Sequence, residues 1–301
     1  MTALAPAQYE SLSVPVPGGD LHVGAWGSGE AIALALHGVT FTHAEFHLLG
    51  HALADCGRVL APDLRGRGAS AALEPPHGLD AHVADLAELL RRQARAPVVL
   101  IGHSWGASVA LVLAHRHPEL VRAVLLVDGG LPPVKGPDSV KATQQSIERV
   151  SERLAGTFAS VAEYLALWRA HPGLRAYWNE AIERTFAYEL VGEPPALRCS
   201  LRADALAADL VSTYVDGDSA ERALLGLTRR AVLVRTARNM ADQEHPQYPD
   251  TLVAQWRQRV PQLEDVFVAH ENHYTIMLRP TGANLIANIV KEECRRHPSA
   301  K

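Results

Sequence analysis

The chain has 301 residues, a formal net charge of −4 and a hydrophobic share of 48%; a chain of this length and composition buries a large core without staples. Its three cysteines, Cys56, Cys199 and Cys294, are odd in number, widely spaced and form no CxxC pair, which argues against a disulfide framework and a structural zinc site. The negative charge excludes an overall positive field for nucleic acid, and no apolar run reaches the ~18 residues of a membrane span.

The 25 arginines against 4 lysines read as the base composition of a GC-rich bacterial genome, and their short pairs as solvated surface. Residues 1–6 (Met-Thr-Ala-Leu-Ala-Pro) lack the basic and apolar regions of a secretory signal, so a cytoplasmic protein is expected.

Tyr9–Val16 and Asp20–Trp26 flank Pro17-Gly18-Gly19 and read as a hairpin. Apolar runs follow at Ala31–Leu36, Arg58–Ala61, Pro97–Ile101, Ala123–Val127, Ala231–Val234 and Asp265–Ala269. Helical patterns lie at Asp80–Gln93, Ala107–Arg116 and Gly282–Val290, with Thr281 as an N-cap. Continuous apolar strands alternating with helices predict an α/β class, with a mostly parallel sheet covered on both faces. From about Leu131 to Leu227, opening with Pro132-Pro133, no strand-like run occurs. Eight of the 17 aromatics fall there, Tyr164, Trp168 and Trp178 among them. The division expected is a core of residues 1–130 and 229–301 with a helical cap at 131–228, its aromatics shared between packing and a pocket, with Tyr164, Trp168 and Trp178 expected to contact the substrate there.

The strongest motif is Gly102-His103-Ser104-Trp105-Gly106. It follows a strand and precedes a helix, the context that G-x-S-x-G requires to expose a nucleophilic serine on a tight turn. The Trp105 N–H is one oxyanion donor, and His37-Gly38-Val39 at the end of an earlier strand places a second at the Val39 N–H. His37 and His103 shape the pocket beside Gly38.

With Asp63-Leu64-Arg65-Gly66-Arg67-Gly68-Ala69-Ser70, the helical insertion and a late histidine, these motifs resemble the α/β-hydrolase fold family over about residues 20–280. The resemblance implies a triad in the order serine, acid, histidine. It makes the Asp63–Ser70 turn structural. The general base is expected at His273, with His270 nearer the strand end and structural. For the acid two positions stay open. Asp128 ends the strand before the insertion, and Asp242 lies in the loop after the penultimate strand, where Met240 stands at the family's usual place.

His43, His47 and His51 at i, i+4, i+8 would share one helical face and read as a polar face, with no metal site. No metal or organic cofactor is implied. The function expected is hydrolysis of a carboxylic ester or lactone of a moderately sized apolar small molecule. C–C bond or amide hydrolysis on the same triad stands as the alternative, as does a slow-turnover receptor or lyase of the same fold. Epoxide hydrolysis and dehalogenation usually need a carboxylate where Ser104 stands. Nucleic-acid and membrane partners are not expected. The sequence sets no oligomeric state, and a homodimer is the first alternative to a monomer.

Overall fold

A strand buried on both faces must be apolar at every position, and the central runs of this chain meet that demand. The computed structural model describes residues 9–132, 137–215 and 218–296; residues 1–6 and Pro133, read above as lacking a leader and opening the insertion, lie outside them. The strands of the main sheet are β1 (Tyr9–Val16), β2 (Gly19–Trp26), β3 (Ala31–Leu36), β4 (Arg58–Pro62), β5 (Val98–His103) and β6 (Val121–Val127). After a two-stranded ribbon of β7 (Leu190–Val191) and β8 (Arg198–Cys199) come β9 (Arg230–Arg238) and β10 (Leu263–Asn272). The sheet order is β1-β2-β4-β3-β5-β6-β9-β10. β1 pairs antiparallel with β2, and β2 with β4. The remaining pairs are parallel.

Alternation along β5 shows how the two faces are filled. Val98 and Leu100 join one apolar cluster, and Val99 and Ile101 join the other, as the two-residue period of a strand requires. The first cluster takes in side chains of α2 (Leu79–Gln93) and α3 (Trp105–Arg116). The second takes in α1 (His47–Leu53), which packs against the last helix.

Between β6 and β9 run α4 (Pro137–Leu154), α5 (Val161–Arg169), α6 (Glu180–Tyr188), α7 (Ala203–Tyr214) and α8 (Ser219–Leu225). The stretch holds the β7–β8 ribbon where only helices were expected; Leu190 pairs with Cys199 and Val191 with Arg198, runs too short to show a period. Trp168 stacks on Phe186 at 4.0 Å and Phe158 meets Tyr164 edge-on, so aromatics join α5, α6 and the ribbon. At its far end α8 lies against α3. The chain finishes with α9 (Asp250–Arg259), α10 (Thr275–Leu278) and α11 (Pro280–Arg296). Thr281 is not the N-cap: Pro280 opens α11, its fixed φ suiting the first helical position, and the Thr281 hydroxyl binds Glu271.

The order of the parallel strands places a crevice. β3 leads to β4 on one side, and the chain then crosses back to put β5 on the other. Connections leave in opposite directions at that switch point, so the carboxyl ends of β3 and β5 open a cleft, where ligands bind in open α/β sheets. Those two ends carry His37-Gly38 and Ser104.

Candidate active site

Ser104 sits between the last residue of β5 and the first of α3, at φ 53° and ψ −123°, a backbone region costly for a residue with a side chain. The turn is held because neighbours leave no alternative. The Ser104 N–H donates to the Val127 carbonyl at 2.9 Å. A Cβ on Gly106 would lie 2.2 Å from the Leu36 carbonyl oxygen, and one on Gly129 only 2.0 Å from that of Ser104. Both positions therefore admit only glycine, and the serine is pressed up out of the sheet.

Around its hydroxyl the tertiary fold assembles two side chains from distant parts of the sequence. Ser104 Oγ lies 3.1 Å from His273 Nε2. His273 Nδ1–H donates to Asp128 Oδ2 at 2.7 Å. The other Asp128 oxygen accepts the Thr236 N–H at 3.0 Å, and the Asp128 N–H donates to Val234 at 2.7 Å. Asp128 is fully buried and, like Ser104, holds a positive φ, of 43°. Both carboxylate oxygens are thus used, one by the histidine and one by the neighbouring strand.

Asp242, the other acid considered, is not at His273. Its carboxylate takes Arg238 Nε–H at 2.8 Å, Asn272 Nδ2–H at 3.0 Å and Tyr177 O–H at 3.4 Å. The reason is strand length. β9 runs on through Arg238, paired with Asn272, so residues read as the start of a loop are sheet, and Asp242 turns back onto its own strand end. Met240 is exposed. His270 lies within β10, exposed.

The loop after β3 is locked from below. His37 Nδ1–H donates to the Gly38 carbonyl at 2.8 Å, while Nε2 accepts the Leu64 N–H at 3.0 Å, a pattern only the neutral ring can make. Burial, reinforced by the Arg67 guanidinium, lowers its pKa to about 4. Phe41 N–H donates to the same carbonyl. A planar trans peptide then turns the Val39 N–H the opposite way, and Arg67 Nε–H holds the Val39 carbonyl at 2.7 Å. A Cβ on Gly38 would stand 3.5 Å from that of Ser104, so the loop lies against the serine. The Trp105 N–H is the first of α3, where no intrahelical acceptor exists. His103 is fully buried, and its Nε2–H donates to the His273 carbonyl at 2.8 Å.

The Asp63–Ser70 turn ties this loop to the surrounding helices. Arg65 grips Asp85 of α2 with two bonds, at 2.7 and 2.8 Å. Arg67 binds Asp209 of α7 at 2.6 Å and lies over the Trp105 ring. Burial alone would raise the Asp63 pKa, but bonds from His43 and the Ala69 N–H overcome it and lower the value to about 2.

The insertion aromatics singled out in the sequence go elsewhere. Tyr164 is fully buried, its hydroxyl on Glu189. Trp168 lies between Phe186 and the Arg153 guanidinium. Trp178 is half-buried, bonded to Glu183 with Arg169 over its ring. The rings that flank the Ser104 cluster are instead Phe41, 6.3 Å from His103, and Tyr274, 5.6 Å from His273. The sequence reading missed both, although each lies close to a motif residue.

His47 and His51 share a face of α1, their ring centroids 4.3 Å apart, but His43 does not join them. His43 belongs to a 3₁₀ turn, His43–Phe46, ahead of α1, which turns it under the β1–β2 hairpin. There His22, His43 and Asp63 bring ligand-type atoms within 4.8 Å. Those of His43 and Asp63 are already engaged: Nδ1 with Asp63, Nε2 with the Tyr9 hydroxyl, and the second Asp63 oxygen with Tyr188. Among the described residues no helix is long and apolar enough to cross a membrane.

Residues 33–283 match the family model described as the alpha/beta hydrolase family. The chain belongs to that family. This α/β hydrolase is 44% identical over 110 residues to lipase LipV of Mycobacterium tuberculosis, covering 36% of this chain and 41% of the lipase. It is 37% identical over 108 residues to 2-(acetamidomethylene)succinate hydrolase of Mesorhizobium japonicum, covering 36% of this chain and 38% of that one. The matched stretch thus spans about two fifths of these relatives' length. The solved structure of E-2-(acetamidomethylene)succinate hydrolase superposes with a TM-score of 0.78 at 23% identity, covering 94% of this chain and 100% of that chain, a likeness of fold.

Proposed function

We propose that the protein is a serine hydrolase acting on a carboxylic ester or lactone of a moderately sized apolar molecule. The observation that carries this reading is the continuous line from Ser104 Oγ through His273 to the buried Asp128, at 3.1 and 2.7 Å. Ser104 attacks the carbonyl carbon as His273 Nε2 takes the hydroxyl proton. The tetrahedral oxyanion is held by the Val39 and Trp105 N–H groups. His273 returns its proton to the leaving oxygen, and water attacks the acyl-enzyme with the same histidine as base. Asp128 keeps the ring in the tautomer with Nε2 bare and stabilises the imidazolium that forms. The insertion, its helices joined to the strand ends through Phe41, Phe186 and Tyr274, serves as the lid that selects the substrate.

The name of the lipase relative agrees with ester chemistry. The relative named for an acetamido-bearing compound favours amide or C–C hydrolysis as the second reading, on the same three side chains. A serine rather than a carboxylate at position 104 disfavours epoxide opening.

The test is labelling with a fluorophosphonate, followed by assay on short to medium p-nitrophenyl esters, for the wild type and Ser104→Ala. Labelling and turnover that vanish in the variant are expected, with kcat reduced by roughly 10⁵-fold or more. An unlabelled wild type, or a Ser104→Ala enzyme that still turns over, would overturn the reading and favour a receptor or lyase.

A further inference from the structure

Glu45 lies in the 3₁₀ turn ahead of α1, outside every motif that the proposed mechanism uses, yet it is fully buried beside the serine turn. A buried carboxylate is costly unless its oxygens are engaged. One oxygen accepts the Gly38 N–H at 3.2 Å. The other stands 2.6 Å from His103 Nδ1, a contact bent away from ideal hydrogen-bond alignment but too short for two bare acceptors. The opposite nitrogen of the same ring donates to the His273 carbonyl. Both His103 nitrogens therefore face oxygen, and one proton must lie between Nδ1 and the Glu45 oxygen, on the ring or on the carboxyl.

We propose that Glu45 and His103 form a buried carboxylate–imidazolium pair that positions the Gly38–Val39 loop and His273 together; this rests on the serine-hydrolase reading above. The proton belongs on nitrogen. Burial of His103 opposes its charge, but Glu45 first, then Asp128 and the His273 carbonyl, outweigh it and raise the pKa. The groups facing the His103 ring are Glu45 from the 3₁₀ turn, Asp128 from the end of β6, the His273 backbone and ring from the segment after β10, and the uncharged Phe41 ring. The His103 and His273 ring centroids are 4.8 Å apart, with Glu45 at the other nitrogen of His103.

His37, one residue before Gly38, makes the contrast clear. It is as buried as His103 but has a backbone N–H on one nitrogen instead of a carboxylate, and it is held neutral. The two histidines under the site differ in charge because their partners differ.

Two measurements test the pair. In ¹⁵N-histidine NMR of the wild type, one ring should carry both nitrogens protonated at pH 7, its signals assigned by their loss in His103→Asn. A bare His103 nitrogen at pH 7 would overturn the proposal, and this reading needs no activity and no folded Glu45 variant. The Glu45→Gln variant keeps the shape but removes the charge that holds His103 and, through its carbonyl, His273 in place. The kcat on p-nitrophenyl acetate should fall roughly 10-fold, with KM within about 3-fold. An unchanged kcat in a folded Glu45→Gln protein would equally overturn it. Failure of fluorophosphonate labelling in the wild type strikes the serine-hydrolase reading instead, while the NMR result still reports on the pair.

Discussion

Asp128 and Asp242 follow adjacent parallel strands of one sheet, β6 and β9, and both hold a positive φ, at 43° and 60°. They do opposite things. Asp128 is reached only from the sheet and the residue after β10: Thr236 fixes one oxygen and His273 takes the other. Asp242 stands at the seam with the insertion. Tyr177 donates to it, and Asn272 bonds both Asp242 and the Gly173 carbonyl of the insertion. A carboxylate walled by sheet backbone has one free valence to give a histidine. A carboxylate at the seam spends its short bonds on its own strand end and on Asn272, which also holds the insertion.

The largest effect that would sharpen this contrast is Asp128→Asn. With the amide presenting the wrong partner to His273 Nδ1–H, kcat on a p-nitrophenyl ester should fall by about 10⁴-fold. A loss below 10-fold would mean that another group orients the histidine. The next is a stability effect on the sheet side. A histidine whose folded pKa lies near 4 against an unfolded 6.5 binds its proton more weakly when folded. Its contribution is therefore complete above about pH 6.5 and is lost as pH falls toward 4. For the fully buried His37 this is roughly 3 kcal/mol. The urea midpoint should drop between pH 6.5 and 4 in the wild type, and His37→Gln should make that drop smaller, with His47, also lowered to about 4, keeping part of it; equal slopes would show that His37 contributes nothing to it.

Asp242→Asn should lower kcat by less than about 10-fold while reducing stability by roughly 1 kcal/mol, read from parallel kinetics and denaturant melts. A kinetic loss as large as that of Asp128→Asn would erase the distinction between the two acids. Smallest is Tyr177→Phe. Removing a long 3.4 Å bond should change KM within about 3-fold and leave kcat unaltered, since only the seam is loosened; a larger fall in kcat would place the seam in the chemistry.

Local order was legible in the sequence because it is written in periods and in steric exceptions. The β-branched apolar run Val98–Ile101, closed by Gly102, reads as a strand covered on both faces. Gly102-His103-Ser104-Trp105-Gly106 can only be a turn whose flanking glycines admit backbone at close range, as Gly106 does with Leu36. Such signals are confined to neighbouring residues and survive without knowledge of the rest of the chain. Tertiary structure decided what depends on where a strand stops and what lies opposite it. β9 extends through Arg238 and carries Asp242 away from His273. Proline at position 280 takes the helix start that Thr281 was expected to cap. Tyr164 and Trp168 are drawn into the insertion's own packing, while Phe41 and Tyr274 come to flank the serine. Glu45 carries no motif at all, and its partners Gly38 and His103 lie 7 and 58 positions away along the chain. Local sequence determines which residues can turn, cap or span. Which carboxylate meets which imidazole is a matter of burial and register between strands far apart in sequence, and only the folded sheet settles it.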